Sequence, residues 1–199
     1  MPEKTHSPAR RGTRSGHAAN TPYLFDLREL GRRAGSLREY HRIGSAPVGL
    51  GTDVIGVPAG EPLRMDVRLE SVTEGVLVTG TVTAAVTGQC ARCLDPLAQE
   101  LSVEVCELFA YPESATDTTT ELDEVFRIEG DLLDVEPVVR DAVVLALPWT
   151  PLCRTDCRGL CPVCGQRLDD LPGDHSHDTL DPRWAALAAY RQPHSEESE

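Results

Sequence analysis

The chain has 199 residues, 40% of them hydrophobic and 5% aromatic, with a formal net charge of −13 at pH 7. That length fits one ordinary domain with tails, or a domain plus a small metal module. No apolar run approaches the roughly 18–20 residues a membrane helix needs. An acidic body repels nucleic-acid phosphates, which excludes a broad RNA-binding surface over most of the chain.

The charge is unevenly placed. Residues 1–50 carry nine Lys or Arg against four Asp or Glu, a balance of +5, and the remaining 149 residues carry −18. Any direct RNA contact therefore falls to the N-terminal arm. Arg28, Arg32, Arg33, Arg38 and Arg42 are its candidate contact residues. The competing reading is that the arm is a solvated tail and that the acidity serves solubility.

Residues 1–20 are polar, with little to bury, and are expected to form a disordered basic tail. They lack the apolar stretch of a secretory signal, so a cytoplasmic location is expected. Tyr23 to Leu30 suggests a short ordered segment. The arginine-rich stretch could follow as a helix between Asp26 and His41, although Gly31 and Gly35 weigh against it. Val48 to Glu61 is rich in Gly and Pro and reads as loop.

A β region follows. Leu63, Met65, Val67 and Leu69 alternate with Arg64, Asp66, Arg68 and Glu70, the period of a half-buried strand. Glu74-Gly75 marks a turn. Val76 to Val86 is the next strand, with Gly80 read as a bulge. Gly88 to Pro96 is a corner carrying Cys90 and Cys93. Leu101 to Tyr111 is a third strand, and the short connections indicate an antiparallel meander. Cys106 within it reads as an inert thiol.

Pro112 to Glu124 is acidic and aperiodic and reads as a mobile loop. Asp134-Val135-Glu136-Pro137 predicts a helix start, because proline is tolerated where its missing N–H would be unpaired anyway. The apolar stripe from Val138 to Ala146 continues that helix to Pro148. Pro182 to Tyr190 predicts a second short helix capped by Asp181. The expected organisation is a tail at 1–20, an α+β core at 21–150, a cysteine-rich zinc-binding module at 151–190 and an acidic tail at 191–199. The core is expected to be an antiparallel sheet or partly open barrel with a few short helices.

The densest chemistry lies in Cys153-Arg-Thr-Asp-Cys157-Arg-Gly-Leu-Cys161-Pro-Val-Cys164-Gly165. Cys161-x2-Cys164-Gly has the form of a zinc knuckle, in which two thiolates turn onto one metal. Clustered cysteines in a reducing compartment more often bind metal or do redox work than form disulfides, and seven is an odd count. The favoured ligand set is Cys153, Cys157, Cys161 and Cys164. A mixed set that includes His175 or His177 is the alternative. Cys90-x2-Cys93 cannot close a zinc site alone. It could share one through tertiary contact, pair with another chain, or act as a redox dithiol.

Several enzyme classes are excluded by missing motifs. There is no His-x-Glu with Pro-Cys-x-x-Cys, no phosphate-binding Gly-x-x-x-x-Gly-Lys loop, no Gly-x-Ser-x-Gly and no His-Glu-x-x-His. No catalytic residues are predicted.

Taken in order, the motifs resemble the YceD family, the large ribosomal RNA subunit accumulation proteins. They are Cys90-Ala-Arg-Cys93-Leu94, an acidic loop, Asp134-x-Glu136-Pro137 leading a Val-rich helix, the block from Leu152 to Gly165, and Asp181-Pro182-Arg183. Leu30-Gly31-Arg32-Arg33 is similar to the actinobacterial branch. The resemblance implies a non-enzymatic role in the synthesis, processing or stability of 23S ribosomal RNA. Family members with the C-terminal block usually end it in Cys-x-Cys, where this chain has His175-Ser-His177. The implied partners are pre-ribosomal 23S RNA or a basic large-subunit ribosomal protein, with no membrane and no small-molecule substrate. The alternative is a redox- or metal-responsive protein using Cys90 and Cys93.

Overall fold

A computed structural model describes residues 21–112, 114–119, 125–177 and 183. Its strands are β1 (Leu24–Asp26), β2 (Leu37–Ser45), β3 (Leu50–Gly51), β4 (Ile55–Val57), β5 (Pro62–Ser71), β6 (Gly75–Gln89) and β7 (Pro96–Ala110). Helix α1 (Ala115–Thr119), β8 (Phe126–Arg127), β9 (Leu132–Asp134) and helix α2 (Glu136–Ala146) follow. The architecture is α+β, built on an open and mostly antiparallel sheet that does not close into a barrel.

The centre of the sheet is β6. One of its edges pairs first with β5 and then with β4, and the other pairs along its whole length with β7. The alternation read from the sequence sets the faces. Leu63, Met65, Val67 and Leu69 of β5 are buried, as are Val76, Val78, Val82 and Val86 of β6. Arg64 and Arg68 lie on the exposed face, with Thr79, Thr81 and Thr83 in register beside them. The β1–β9 ribbon and α2 complete the core, contributing Phe25, Leu133, Val138, Val139 and Val143.

Helix α2 begins where the sequence places it. The Asp134 carboxylate accepts the Glu136 N–H at 2.9 Å, and Pro137 occupies the first turn. It ends at Leu147, whose extended backbone suits a residue before proline. Arg140 ties the helix to the loop before β3 by donating to the Val48 and Gly49 carbonyls.

Four readings are corrected. There is no helix between Asp26 and His41: the segment turns at Leu27–Leu30, passes Gly31 and Gly35 at φ of +70° and +86°, and then enters β2. A helix there would leave Tyr40 and Arg42 off the sheet they now cover. The stretch from Val48 to Glu61 is not all loop, because Leu50, Ile55 and Val57 are apolar enough to bury and form β3 and β4. Gly80 is not a bulge; it pairs in unbroken register with Val67 and Val105. The acidic stretch after Pro112 holds the short helix α1, opened by the Ser114 hydroxyl, which accepts the Asp117 N–H. The expected helix at Pro182–Tyr190 lies outside the described residues except for Arg183, and both tails lie outside them entirely.

Candidate metal centres

Six of the seven cysteines and two histidines gather into two groups of four. Cys90, Cys93, Cys153 and Cys157 form one, and Cys161, Cys164, His175 and His177 form the other. Within each group the candidate ligand atoms all lie within 4.8 Å of one another.

The first group is built where the sheet turns. β6 ends at Gln89 and β7 begins at Pro96, so Cys90 and Cys93 sit in the six residues of the corner. The corner is closed by Cys90 N–H to Asp95 C=O at 2.8 Å and Leu94 N–H to Cys90 C=O at 3.0 Å. The segment after α2 docks onto it. Ala91 N–H donates to Pro151 C=O at 2.7 Å, Leu160 N–H donates to Arg92 C=O at 3.2 Å, and the Arg92 guanidinium donates to Cys157 C=O at 2.8 Å. Gly159 fits because its φ is +80° and a Cβ there would meet the Arg92 carbonyl oxygen at 3.0 Å.

The sulfur separations suit a tetrahedral ion. Cys93 and Cys153 sulfurs lie 3.6 Å apart, and those of Cys90 and Cys157 lie 3.8 Å apart. A zinc–sulfur bond of about 2.3 Å gives a tetrahedral edge of about 3.8 Å. Cys90, Cys93 and Cys157 are buried, and Leu97, Leu152 and Leu160 pack around them. Such an apolar shell limits solvent access to the sulfurs.

The thiols of this group differ in acidity. The backbone N–H of Cys93, with those of Cys153 and Arg92, draws Cys90 down to about 6 against the opposing effect of burial. At Cys93 the Asp95 N–H pulls the same way, but burial and hydrogen bonds shared with Cys90, Cys153 and Cys157 outweigh it and push the thiol up to about 12. Backbone donors aimed at sulfur stabilise thiolate, whether a metal or a proton vacancy leaves it charged.

The second group is local. Cys161 N–H donates to Gln166 C=O at 2.7 Å, Gly165 N–H donates to Cys161 C=O at 2.9 Å, and Leu160 bridges to Arg167. This is the knuckle turn read from Cys161-Pro-Val-Cys164-Gly165, with Gly165 at φ +70°. The N–H groups of Cys164 and Val163, helped by His175, draw Cys161 down to about 6. Cys164 Sγ lies 3.7 Å from His175 Nε2, and the two Nε2 atoms of His175 and His177 lie 2.9 Å apart. A mixed sulfur and imidazole set suits zinc. Here Cys164 and His177 are exposed, His175 is half-buried and only Cys161 is buried.

The four cysteines of the C-terminal block are thus divided between the groups, two to each. Cys90 and Cys93, taken from sequence as a separate pair, lie with Cys153 and Cys157. His175 and His177, taken as alternates, lie with the knuckle. A count could have pointed to this division: eight candidate ligands make two sets of four. The pairing of residues 67 apart could not be read from spacing. The burial of Cys90 and Cys93 disfavours a dithiol open to solvent reagents. Cys106 is exposed on β7 and belongs to neither group.

The arginines of the arm are unequally placed. Arg28 pairs with the Asp26 carboxylate, and Arg32 lies 5.0 Å over the Tyr111 ring. Arg33 and Arg38 are exposed. Arg42 is half-buried; its guanidinium stacks 3.9 Å over Phe25 and donates to the Pro22 and Leu24 carbonyls. It holds β1 against β2. Arg42→Ala should cost about 1–3 kcal/mol in chemical denaturation, by lost packing and unpaired carbonyls, whereas Arg33→Ala should stay within about 0.5 kcal/mol. Equal effects would remove Arg42 from a structural role.

The family described as large ribosomal RNA subunit accumulation protein YceD matches residues 78–190, which include both groups. The chain belongs to this family. An uncharacterized protein of Mycobacterium tuberculosis is 48% identical to it over 184 residues, 92% of this chain and 88% of that protein. An uncharacterized protein of Mycobacterium leprae is 42% identical over 173 residues, 87% of this chain and 79% of that one. The uncharacterized protein YlbN of Bacillus subtilis is 25% identical over 127 residues, 63% of this chain and 72% of that protein. The two mycobacterial relatives fit the actinobacterial branch. No solved structure matches. Among the described residues no helix is long and apolar enough to cross a membrane.

Proposed function

We propose that this YceD-family chain is a non-enzymatic, cytoplasmic factor that supports the synthesis, processing or stability of 23S ribosomal RNA, and so the assembly of the large ribosomal subunit. The family match over residues 78–190 carries this reading. Zinc is the ion assigned to the two ligand groups, because sulfur-rich tetrahedral sets suit it. Four protein ligands per ion would leave no position for a reacting water, which favours a structural role.

The charge suggests how such a factor meets its partners. A balance of −18 over residues 51–199 favours a basic large-subunit ribosomal protein, while the +5 of residues 1–50 favours RNA phosphates. Arg28, Arg32, Arg33 and Arg38 are exposed among the described residues of that stretch; Arg28 pairs with Asp26 and Arg32 lies over Tyr111, which leaves Arg33 and Arg38 as the candidates for phosphate contact.

The test is depletion of the protein in its host, with the ratio of 23S to 16S RNA and the subunit profile as readouts. A fall in 23S RNA and in large subunits is expected, restored by the wild-type gene. An unchanged ratio and profile would overturn the proposal.

A further inference from the structure

The two ligand groups differ in burial and in connectivity, two properties that control how easily an ion leaves. From this contrast we infer that the chain binds two zinc ions of unequal lability: a permanent ion on Cys90, Cys93, Cys153 and Cys157, and an exchangeable ion on Cys161, Cys164, His175 and His177. The inference rests on zinc being the metal, and it adds a metal-dependent state to the proposed factor.

Burial is the first difference. Three sulfurs of the first group are buried beneath Leu97, Leu152 and Leu160. The fourth, Cys153, is exposed, so a chelator can approach this ion from that side alone. The second group has two exposed ligands and no apolar cover among the buried clusters of the described residues. An incoming ligand can add to its ion directly.

Connectivity is the second. The first group joins the β6–β7 corner to the segment after α2, and its ligands are fixed by the hydrogen bonds that dock these pieces. Drawing these ligands away from their ion means straining those hydrogen bonds as well. All four ligands of the second group lie between residues 161 and 177. That segment can open locally while the sheet stays folded.

The segment remains tethered when it opens. Arg167 pairs with Asp95 at 2.6 Å, and Arg154 pairs with the Asp169 carboxylate. Leu168 N–H donates to Gly159 C=O at 2.9 Å. Loss of the exposed ion would thus free the loop carrying His175 and His177 without detaching the knuckle from the corner. The responsive element lies in the histidine-bearing loop, and the pair Cys90–Cys93 is structural. Exchange involves ligands only: the chelator takes the ion and no sulfur is oxidised.

The experiment uses the full zinc-loaded chain, elemental analysis, and zinc release to a colorimetric chelator under reducing conditions. Two zinc ions per chain are expected. One should leave at least tenfold faster than the other, and the slow one only as the protein unfolds. The double variant His175→Ala, His177→Ala should lose the fast phase alone, with its far-ultraviolet circular dichroism unchanged. Release of both ions in a single phase would overturn the unequal lability while leaving zinc binding intact. A single zinc, lost alike in Cys153→Ser and Cys161→Ser, would place the block's four cysteines on one ion and overturn the two-site arrangement. A folded chain without zinc would overturn the metal assignment itself.

Discussion

Replacing Cys157 with serine is expected to remove one zinc ion from the chain and to lower its melting temperature by about 8–16 °C. The estimate follows from what the first ligand group connects. An ion shared by Cys90 and Cys157 closes a loop between residues 67 apart, and the intervening chain includes β7, β8, β9 and α2. Cross-linking a loop of that length restricts the unfolded chain by about 4 kcal/mol in the chain-entropy view. At roughly 2–4 °C per kcal/mol for a protein of this size, the expected shift follows. The variant also leaves the buried Cys90 and Cys93 and the exposed Cys153 without their ion, and a serine hydroxyl is a poor substitute for a thiolate on zinc. Cys106→Ser is the matched control. It changes an exposed cysteine on the outer face of β7 and should move the melting temperature by less than about 2 °C. Differential scanning calorimetry with parallel zinc analysis decides the matter. Equal melting temperatures and equal zinc contents for the two variants would deny the first group its structural role.

The strands with strict alternation were legible because each has one buried face. Leu63 to Glu70 could be read residue by residue, and the helix after Asp134 declared its start through carboxylate and proline. The segment 26–45 was not legible in the same way. Its arginines have no fixed period, and Arg42 goes partly inside because two aromatic rings and two carbonyls receive it. The ligand groups show the same limit. The knuckle at Cys161–Cys164 is a local turn, and its form is visible in the spacing. The union of Cys90 and Cys93 with Cys153 and Cys157 depends on β6 and β7 returning the corner to the end of α2. Composition records no such long-range approach.

Gly80 exposes the difference between a sequence signal and its cause, and it supports a second large effect. Glycine inside a strand signals either a bulge or a close approach of backbone. The register is unbroken, so approach is the cause: a Cβ at Gly80 would lie 2.2 Å from the Asp66 carbonyl oxygen and 2.7 Å from the Val67 Cα. These neighbours are backbone atoms of β5, paired on both sides by β2 and β6, and they have nowhere to retreat. Gly80→Ala should therefore separate β5 from β6 locally and cost about 3 kcal/mol or more, near the upper end for overpacking. By the scaling used for Cys157, that corresponds to a fall of about 6–12 °C. Ala85→Gly on the same strand is the fitting contrast, because Ala85 is exposed and its loss should cost only about 1 kcal/mol in strand propensity. Urea unfolding of the two variants separates the cases. A Gly80→Ala protein as stable as wild type would mean that β5 can move aside, and the tight pairing at the centre of the sheet would not be what holds that position to glycine.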